Sequence, residues 1–242
     1  MITYTVDGAV AVIKLDRGGK RNALTQDLVE QIREAFIRFE KSDERVAVFT
    51  GRPEAFTAGA DLTNPPKDFS RCVPGIGMSL TKPLICAVSG WCVGGGMVLV
   101  GTCDLCVADE TAKFWFSEAK VGRGGGMITA LVPRIPYKLA MEIMLIGDPI
   151  DAKRAYEGCL VNRVVPEGQA FEAAMEIARK IGSNAPLVVR MLKEFSVATL
   201  NKSPAEIMAK SRYTVEEIAH SEDCAEGIRS FKEKRPPAYK GK

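Results

Sequence analysis

Two stretches of small residues follow predicted buried strands and could present backbone N–H groups to a ligand. Residues 55–62, AFTAGADL, come after a strand that ends at Thr50, and residues 89–97, SGWCVGGGM, come after one that ends at Val88. In the second stretch the three consecutive glycines open a predicted helix, whose unpaired N–H groups lie at the positive end of its dipole. Such groups can stabilise an oxygen that becomes negative during a reaction.

Each stretch also has a purely structural interpretation. Residues 55–62 can be a plain loop that leads into a helix capped by Asp61, and the glycines at 94–96 can serve tight helix packing. The glycine spacing matches neither Gly-x-Gly-x-x-Gly nor the lysine-containing P-loop, so a nucleotide cradle is not indicated.

A carboxylate stands in a third stretch, residues 114–122, FWFSEAKVG. The aromatic residues and glycine around Glu118 indicate partial desolvation, which raises the pKa of a carboxylate toward the range useful for proton transfer. The alternative is a surface salt bridge from Glu118 to Lys120 or Arg123. Proton transfer is therefore one of two interpretations of this stretch.

Strands and helices alternate through the first half of the chain and would position these stretches. Apolar residues on either side of Asp7-Gly8 predict a hairpin, and Thr25 is placed to cap a helix that runs to Lys41. Beyond Tyr137 the pattern becomes almost wholly helical, so the predicted fold class is α/β with a helical C-terminal third. The predicted strands cover residues 4–6, 9–15, 46–49, 84–88, 104–108, 113–116 and 161–165, and the predicted helices cover 25–41, 65–81, 94–102, 138–146, 151–157, 169–182, 186–200, 203–220 and 222–233.

Composition excludes several classes of protein. The 242 residues are 46% hydrophobic and 26% charged, values typical of an ordinary globular chain and not of a fibrous or disordered one. A net charge of only +3 gives no argument for a nucleic-acid partner. Seven scattered cysteines, without a secretory leader, favour a reducing cytoplasmic compartment over a disulfide framework.

Membrane and zinc interpretations are both disfavoured. Residues 83–103 carry no charge and are long enough to span a bilayer, but the glycines among them would weaken a single helix. A buried strand, a turn and a buried helix explain that stretch better. His220, Cys103 and Cys106 lack a second ligand motif, so no metal site is expected.

Several segments, in order along nearly the whole chain, carry a resemblance to a known family. They are residues 20–24 (KRNAL), 55–62, 90–96 with 103–104 downstream, 118–122, 140–148, 152–165 and 231–236. In these motifs the chain resembles the crotonase superfamily, the enoyl-CoA hydratase/isomerase-like enzymes. The resemblance implies a spiral of ββα turns over residues 1–190 and a C-terminal helical region over 191–242, which joins subunits into a trimer or a dimer of trimers. It also implies an acyl-CoA thioester substrate and no cofactor apart from the coenzyme A that the substrate carries.

The same resemblance implies roles for individual residues. Ala60 and Gly95 supply the two N–H groups of an oxyanion hole, and Glu118 is the acid–base group. When a thioester carbonyl becomes an enolate, two such N–H groups stabilise the negative charge on its oxygen. Loss of one donor typically costs about 2.7–4 kcal/mol of this stabilisation. For Arg21 and Lys234 a solvated surface charge is the alternative role. The residues implied to hold coenzyme A are Arg21, Asn22, Ala23, Ala58, Asp61 and Leu62, together with Phe231 and Lys234 from the tail of a neighbouring subunit.

One position departs from the family pattern and bears on the reaction. Hydratases of the family hold a water between two glutamates; Glu118 matches the second, but Val98 stands where the first belongs. A single carboxylate suits delta-3 to delta-2 enoyl-CoA isomerisation, in which one base moves a proton from C2 to C4. Isomerisation is therefore the favoured prediction, with enoyl-CoA hydration or another crotonase reaction as the alternative and non-catalytic acyl-CoA binding as a further one. A different carboxylate, such as Asp68 or Glu142, could also replace the missing glutamate.

Overall fold

The strands of the protein form two sheets in the computed structural model, which describes residues 1–122 and 126–242. Arg123, considered above as a salt-bridge partner, lies outside the described residues. In the larger sheet the strand order is β1-β2-β3-β5-β7-β10, and in the smaller one it is β4-β6-β8-β9. The strands are β1 (Ile2–Asp7), β2 (Val10–Leu15), β3 (Val46–Thr50), β4 (Ala55–Thr57), β5 (Leu84–Val88), β6 (Trp91–Val93), β7 (Leu105–Asp109), β8 (Lys113–Trp115), β9 (Ile150–Asp151) and β10 (Arg163–Val165).

Successive strands step between the two sheets and give the chain a spiral course. β3, β5 and β7 lie side by side and parallel in the larger sheet, and each is followed by a strand of the smaller sheet, β4, β6 and β8. β1 and β2 form the predicted antiparallel hairpin at one edge. The helices are α1 (Gln26–Lys41), α2 (Gly95–Thr102), α3 (Glu118–Val121), α4 (Tyr137–Met141), α5 (Ala152–Glu157), α6 (Ala170–Gly182), α7 (Pro186–Thr199), α8 (Pro204–Ala219) and α9 (Glu222–Glu233).

Three buried phenylalanines join α1 to the strands that lead into the first small-residue stretch. Phe36 of α1 and Phe49 of β3 pack edge to face with ring centroids 5.1 Å apart, and Phe49 packs in the same way on Phe56 of β4 at 5.3 Å. All three side chains are fully shielded from solvent, and burial of each stabilises the fold by about 1.5–3 kcal/mol. The start of residues 55–62 is thus fixed by core packing.

Ion pairs fasten α8 to the remainder of the fold, while α7 leaves a row of apolar side chains uncovered. Arg71 pairs with Glu30 of α1 at 2.6 Å and also with Glu216 of α8. Arg134 pairs with the buried Glu206 of α8 at 3.3 Å.

The exposed apolar side chains of α7 are Leu187, Val188, Met191, Leu192 and Phe195.

Most of the predicted long elements are confirmed, and the differences have local causes. The predicted helix over 65–81 is wrong: apart from a 3-10 turn at Phe69–Cys72 the segment is irregular, because prolines and glycines interrupt it. The predicted helix over 138–146 is α-helical only to Met141 and continues as a π-helical turn, Glu142–Ile146. The sequence pattern misses β4, β6, β9 and α3, since elements of two to four residues are too short to show a period. Within the described part of the chain, no helix is both long enough and apolar enough to cross a bilayer.

Candidate active site

The first of the implied N–H donors, Ala60, lies in a segment clamped to Leu24. The Leu24 N–H donates to the carbonyl of Gly59 at 2.7 Å, and the Asp61 N–H donates to the carbonyl of Leu24 at 2.8 Å. In such a parallel bridge the residue between the two bonds directs its own N–H to the opposite side. Gly59 supports this geometry with φ +83°, a region that favours glycine. The Ala60 N–H meets no backbone acceptor within residues 1–122 and 126–242, and it is available to a substrate oxygen.

The second implied donor, Gly95, is the first residue of α2. Gly94, at φ +54° and ψ −110°, turns the chain into the helix, and its own N–H donates to the carbonyl of Trp115 at 2.9 Å. The Gly95 N–H is one of the four that a helix leaves without an internal partner. A methyl group added at Gly95 would lie 2.8 Å from the ring of Phe69 and 2.9 Å from Cδ1 of Leu24, so both side chains would have to move to accept any other residue.

The two donor segments lie directly against each other. A methyl group on Gly59 would lie 3.3 Å from the carbonyl oxygen of Val93, and one on Gly94 would lie 3.8 Å from the Cα atom of Gly59. The backbone of Gly59 therefore packs directly on the backbone of Val93 and Gly94. The structure brings together the residues that immediately precede Ala60 and Gly95, as an oxyanion hole requires.

Glu118, the implied acid–base group, lies beside Gly94, the residue that precedes the second donor. Its Oε1 atom is 3.1 Å from the position that a methyl group on Gly94 would occupy. Its Oε2 atom is buried and accepts no hydrogen bond from any described residue. Burial raises the pKa of Glu118, and the backbone N–H groups of Glu118 and Ser117 oppose part of that rise. A carboxylate in this environment is a stronger base than an exposed one.

Two contacts join Gly147 to residues on either side of Glu118, the residue that begins the single turn α3. The indole N–H of Trp115 donates to the carbonyl of Gly147 at 2.8 Å, and a methyl group on Gly147 would lie 3.4 Å from the side chain of Lys120. Lys120 pairs with Asp148, and among the described residues it forms no salt bridge with Glu118, the alternative that the sequence left open.

Comparison with known proteins covers nearly the whole chain. The family model described as Enoyl-CoA hydratase/isomerase matches residues 5–242. The chain belongs to this family. It is 35% identical over 251 residues to the enoyl-CoA hydratase EchA19 of Mycobacterium tuberculosis, across 97% of this chain and 94% of that relative. It is 34% identical over 260 residues to a carnitinyl-CoA dehydratase of Citrobacter koseri, across 99% of this chain and 98% of that relative.

Solved structures share the fold of this enoyl-CoA hydratase/isomerase family member. The structure of a carnitinyl-CoA dehydratase from Mycobacterium avium 104 has a TM-score of 0.77 at 30% identity, and the match covers 100% of this chain and 99% of that one. The crotonase resemblance and the α/β fold class are therefore confirmed. An acyl-CoA thioester is the substrate class expected of a member of this family.

The family member has no second carboxylate at the expected place beside Glu118. Val98 of α2 is 4% exposed and packs in the main core. The Asp68 carboxylate accepts from the N–H and the hydroxyl of the serine two residues on, and Glu142 pairs with Arg154 at 2.8 Å. Both of the carboxylates considered as replacements for the missing glutamate are thus engaged elsewhere.

Two of the residues implied to hold coenzyme A turn their side chains inward. Asn22 is fully buried, and its amide donates to three main-chain carbonyls. The Asp61 carboxylate accepts from the hydroxyl of Thr63 and pairs with Arg17 at 2.8 Å, and these bonds hold the pKa of Asp61 well below its ordinary value. The side chains of Asn22 and Asp61 are therefore engaged inside the protein, in contrast to the side-chain contact that the residue types suggest, and the contact of both residues with coenzyme A stays a prediction. The other implied contacts on this side are exposed or half-buried: Arg21, Ala23, Ala58 and Leu62.

The two implied contacts from the tail lie at the end of α9. Phe231 is 85% exposed, and Lys234 follows the helix with φ +53° in the left-handed region. Their contact with the coenzyme A of a neighbouring subunit stays a prediction.

Sequence reasoning misses the hydrogen bonds by which two side chains near the site, those of Trp115 and Thr57, reach distant parts of the chain. The indole of Trp115 bonds to a residue 32 positions away, and the hydroxyl of Thr57 bonds to Asn22, 35 positions away. No local pattern reveals such partners. For Thr57 the one available signal was a hydroxyl within an otherwise small and apolar stretch.

Proposed function

We propose that this protein is an acyl-CoA lyase, which adds water to a 2-enoyl-CoA or removes water from a 3-hydroxyacyl-CoA, with Glu118 as its catalytic carboxylate. The observation that carries the proposal is the buried Oε2 atom of Glu118 beside the segments of Ala60 and Gly95. The relatives named as a hydratase and a dehydratase support this type of reaction. The isomerisation that sequence reasoning favoured becomes the second candidate.

The donor pair stabilises the intermediate of this reaction. In the proposed complex the thioester oxygen lies between the N–H groups of Ala60 and Gly95. Negative charge that develops on this oxygen is stabilised by fixed donors at low cost in reorganisation, and loss of one donor costs about 2.7–4 kcal/mol. Because α2 begins at Gly95, its helix dipole acts in the same direction.

One carboxylate can carry both proton transfers of hydration. Glu118 takes a proton from water while the water oxygen bonds to C3, and the electron pair of the double bond moves onto the thioester as an enolate. Protonated Glu118 then returns the proton to C2, so that one water is added and the carboxylate is regenerated. Burial favours the first step because it raises the pKa of Glu118 and so makes the carboxylate a stronger base. Dehydration runs the same steps in reverse, and every group is supplied by the chain, the thioester or water.

The second candidate is delta-3 to delta-2 enoyl-CoA isomerisation, and Val98 is the observation that favours it. The valine side chain is buried and can neither hold a water nor exchange a proton. In this reaction Glu118 would remove a proton from C2 and return it to C4 of the dienolate, with the same two donors on the oxygen. No water has to be positioned in this reaction.

A paired assay separates the candidates. The wild-type protein and Glu118→Gln are incubated with a 2-enoyl-CoA and with a 3-enoyl-CoA, and water addition and double-bond migration are measured separately by chromatography and mass spectrometry. The lyase proposal expects hydration by the wild type and a loss of about 100-fold or more in Glu118→Gln. Migration without hydration would establish the isomerase instead. Binding of acyl-CoA with neither reaction would overturn both candidates and support a non-catalytic acyl-CoA-binding protein or another crotonase reaction.

Position 98 allows a sharper test of how water is handled. Val98→Glu adds the second carboxylate of the family pattern, and Val98→Gln adds the same volume without an acid. If Glu118 works alone in hydration, Val98→Glu should hydrate faster than Val98→Gln by about 10-fold or more, since an added acid–base group contributes on that scale. Equal rates in the two variants would show that position 98 does not face the reacting water.

The assembly of the family is proposed for this chain as well. The uncovered apolar side chains of α7 (Leu187 is 79% exposed and Phe195 is 68% exposed) support contact with further copies of the chain. A trimer or a dimer of trimers is the expected particle. Light scattering after size-exclusion chromatography measures its mass, and a monomer at micromolar concentration would refute the assembly.

A further inference from the structure

A single buried side chain, that of Thr57, contacts both donor segments. Thr57 ends β4 and is fully shielded from solvent. Its hydroxyl oxygen accepts a hydrogen bond from the Gly59 N–H at 3.1 Å. Its methyl group lies against the other segment, because a Cβ atom placed on Gly96 would be only 2.5 Å from Thr57 Cγ2. Gly59 directly precedes Ala60, and Gly96 directly follows Gly95.

The Thr57 hydroxyl belongs to a buried hydrogen-bond network. The Thr57 hydroxyl donates to the carbonyl of Asn22 at 2.7 Å, so both its donor and one acceptor site are used inside the protein. Asn22 is itself fully buried at φ +54°, and its amide donates to the carbonyls of Leu15, Ala55 and Phe56. A movement of the Thr57 hydroxyl would break both of its own buried bonds, the one to Asn22 and the one from Gly59.

From these contacts we infer that Thr57 is a positioning residue, whose hydroxyl sets the direction of the Ala60 N–H group through Gly59 while its methyl group packs on Gly96 beside Gly95. The inference rests on the proposed function, since it assigns Thr57 a role in the oxyanion hole of that function. Thr57 does not touch the substrate in this scheme. Its hydroxyl acts on the Ala60 donor through the backbone of Gly59, and its methyl group fills the space against Gly96.

The two halves of the side chain can be tested separately. Thr57→Val keeps the shape and the methyl that rests on Gly96 but removes the hydroxyl that holds Gly59. Thr57→Ser keeps the hydroxyl and removes that methyl. Misplacement of a reacting group by about 1 Å can cost about 100-fold in rate, so kcat is expected to fall by about 10- to 100-fold in Thr57→Val. KM should stay within about threefold of the wild type, and Thr57→Ser should restore most of kcat because the bond to Gly59 is present again.

A second measurement reads the donor pair without any turnover. Hydrogen bonds to a thioester carbonyl lower its stretching frequency, so a saturated acyl-CoA with a ¹³C-labelled carbonyl is bound to each variant and its infrared difference spectrum is recorded. The inference expects a downshift in the wild type, a smaller one in Thr57→Val and a nearly restored one in Thr57→Ser. Melting temperatures are recorded alongside, and all data are taken below the lowest of them.

The outcomes keep this inference apart from the proposed reaction. A downshift that shrinks in Thr57→Val supports the positioning role even if the wild type neither hydrates nor isomerises, in which case only the proposed function fails. A Thr57→Val protein with a lower melting temperature but with wild-type kcat and an unchanged downshift would overturn the inference, since Thr57 would then be only structural. If Thr57→Val does not fold, a wild-type downshift in Thr57→Ser supports the hydroxyl as the positioning group, and a lost one overturns it.

Discussion

Replacement of Gly94 by alanine should disable the donor that follows it. The ψ angle of Gly94 sets the direction of the Gly95 N–H, because rotation about that bond turns the peptide plane which joins the two residues. Gly94 has φ +54° and ψ −110°, outside the regions that an L-residue adopts. At this φ the region allowed for alanine is the left-handed one, which is roughly 160° away in ψ. Relaxation of the substituted residue toward that region would turn the Gly95 N–H out of the site.

Both ways in which the variant can respond lower the rate. If the peptide turns, the enzyme loses one oxyanion donor, which costs about 10²–10³ in kcat or about 2.7–4 kcal/mol. If the peptide stays, the strained backbone costs about 1–3 kcal/mol of unfolding free energy. The added methyl then lies 3.1 Å from Oε1 of Glu118 and presses on the proposed base. We therefore expect kcat to fall by at least about 100-fold, with a lower melting temperature.

The assay measures kcat with the better of the two enoyl-CoA substrates and unfolding by urea, and Gly168→Ala is the matched control. Gly168 also has a positive φ, +79°, but an added methyl would meet nothing within 4 Å. The control should lose a similar amount of stability and keep kcat within about twofold. If Gly94→Ala keeps the kcat of the wild type, the Gly95 N–H is not an oxyanion donor and the reasoning is refuted.

Three other changes test the groups around the site. Burial raises the pKa of Glu118 in the folded protein, so the folded state binds the carboxyl proton more tightly than the unfolded state does. As pH rises from the ordinary carboxylate pKa to the raised one, the ionised Glu118 therefore lowers the stability of the folded protein. Glu118→Gln should therefore melt above the wild type at alkaline pH and level with it at acidic pH; a difference that does not depend on pH would contradict this. Trp115→Phe removes the bond to Gly147 and should cost about 1–2 kcal/mol in urea unfolding, together with a lower kcat at unchanged KM; a loss of stability alone would show that Trp115 does not position Glu118. Asn22→Ala removes a buried amide that donates to three carbonyls and accepts from the Arg17 N–H, so it should cost about 2–4 kcal/mol, and a loss well under that in denaturant titrations would show that water replaces the amide.

Local patterns were sufficient for the longer elements of this fold. The helix α1 is capped by Thr25 and places its apolar residues on one face, so periodicity and capping identify it without tertiary information. The Asp7-Gly8 hairpin follows in the same way. The segment 65–81 was misassigned because loose apolar spacing outweighed its prolines, and the short strands of the smaller sheet are held by pairing partners that no local window contains.

For the candidate site as well, some features could be identified from the sequence and others only from the structure. Residue types and motif spacing, through the resemblance they carry, determined the family, the acyl-CoA class and the choice of Ala60, Gly95 and Glu118, because a backbone donor or a carboxylate in a motif can be recognised from its neighbours in sequence. The tertiary structure alone decided which side chains form hydrogen bonds or ion pairs inside the protein and so do not face a ligand. Asn22 and Asp61 bond to groups far along the chain, and the same is true of Thr57. The physical reason is that burial and hydrogen-bond satisfaction depend on distant segments meeting in space, and a one-dimensional pattern does not contain those meetings.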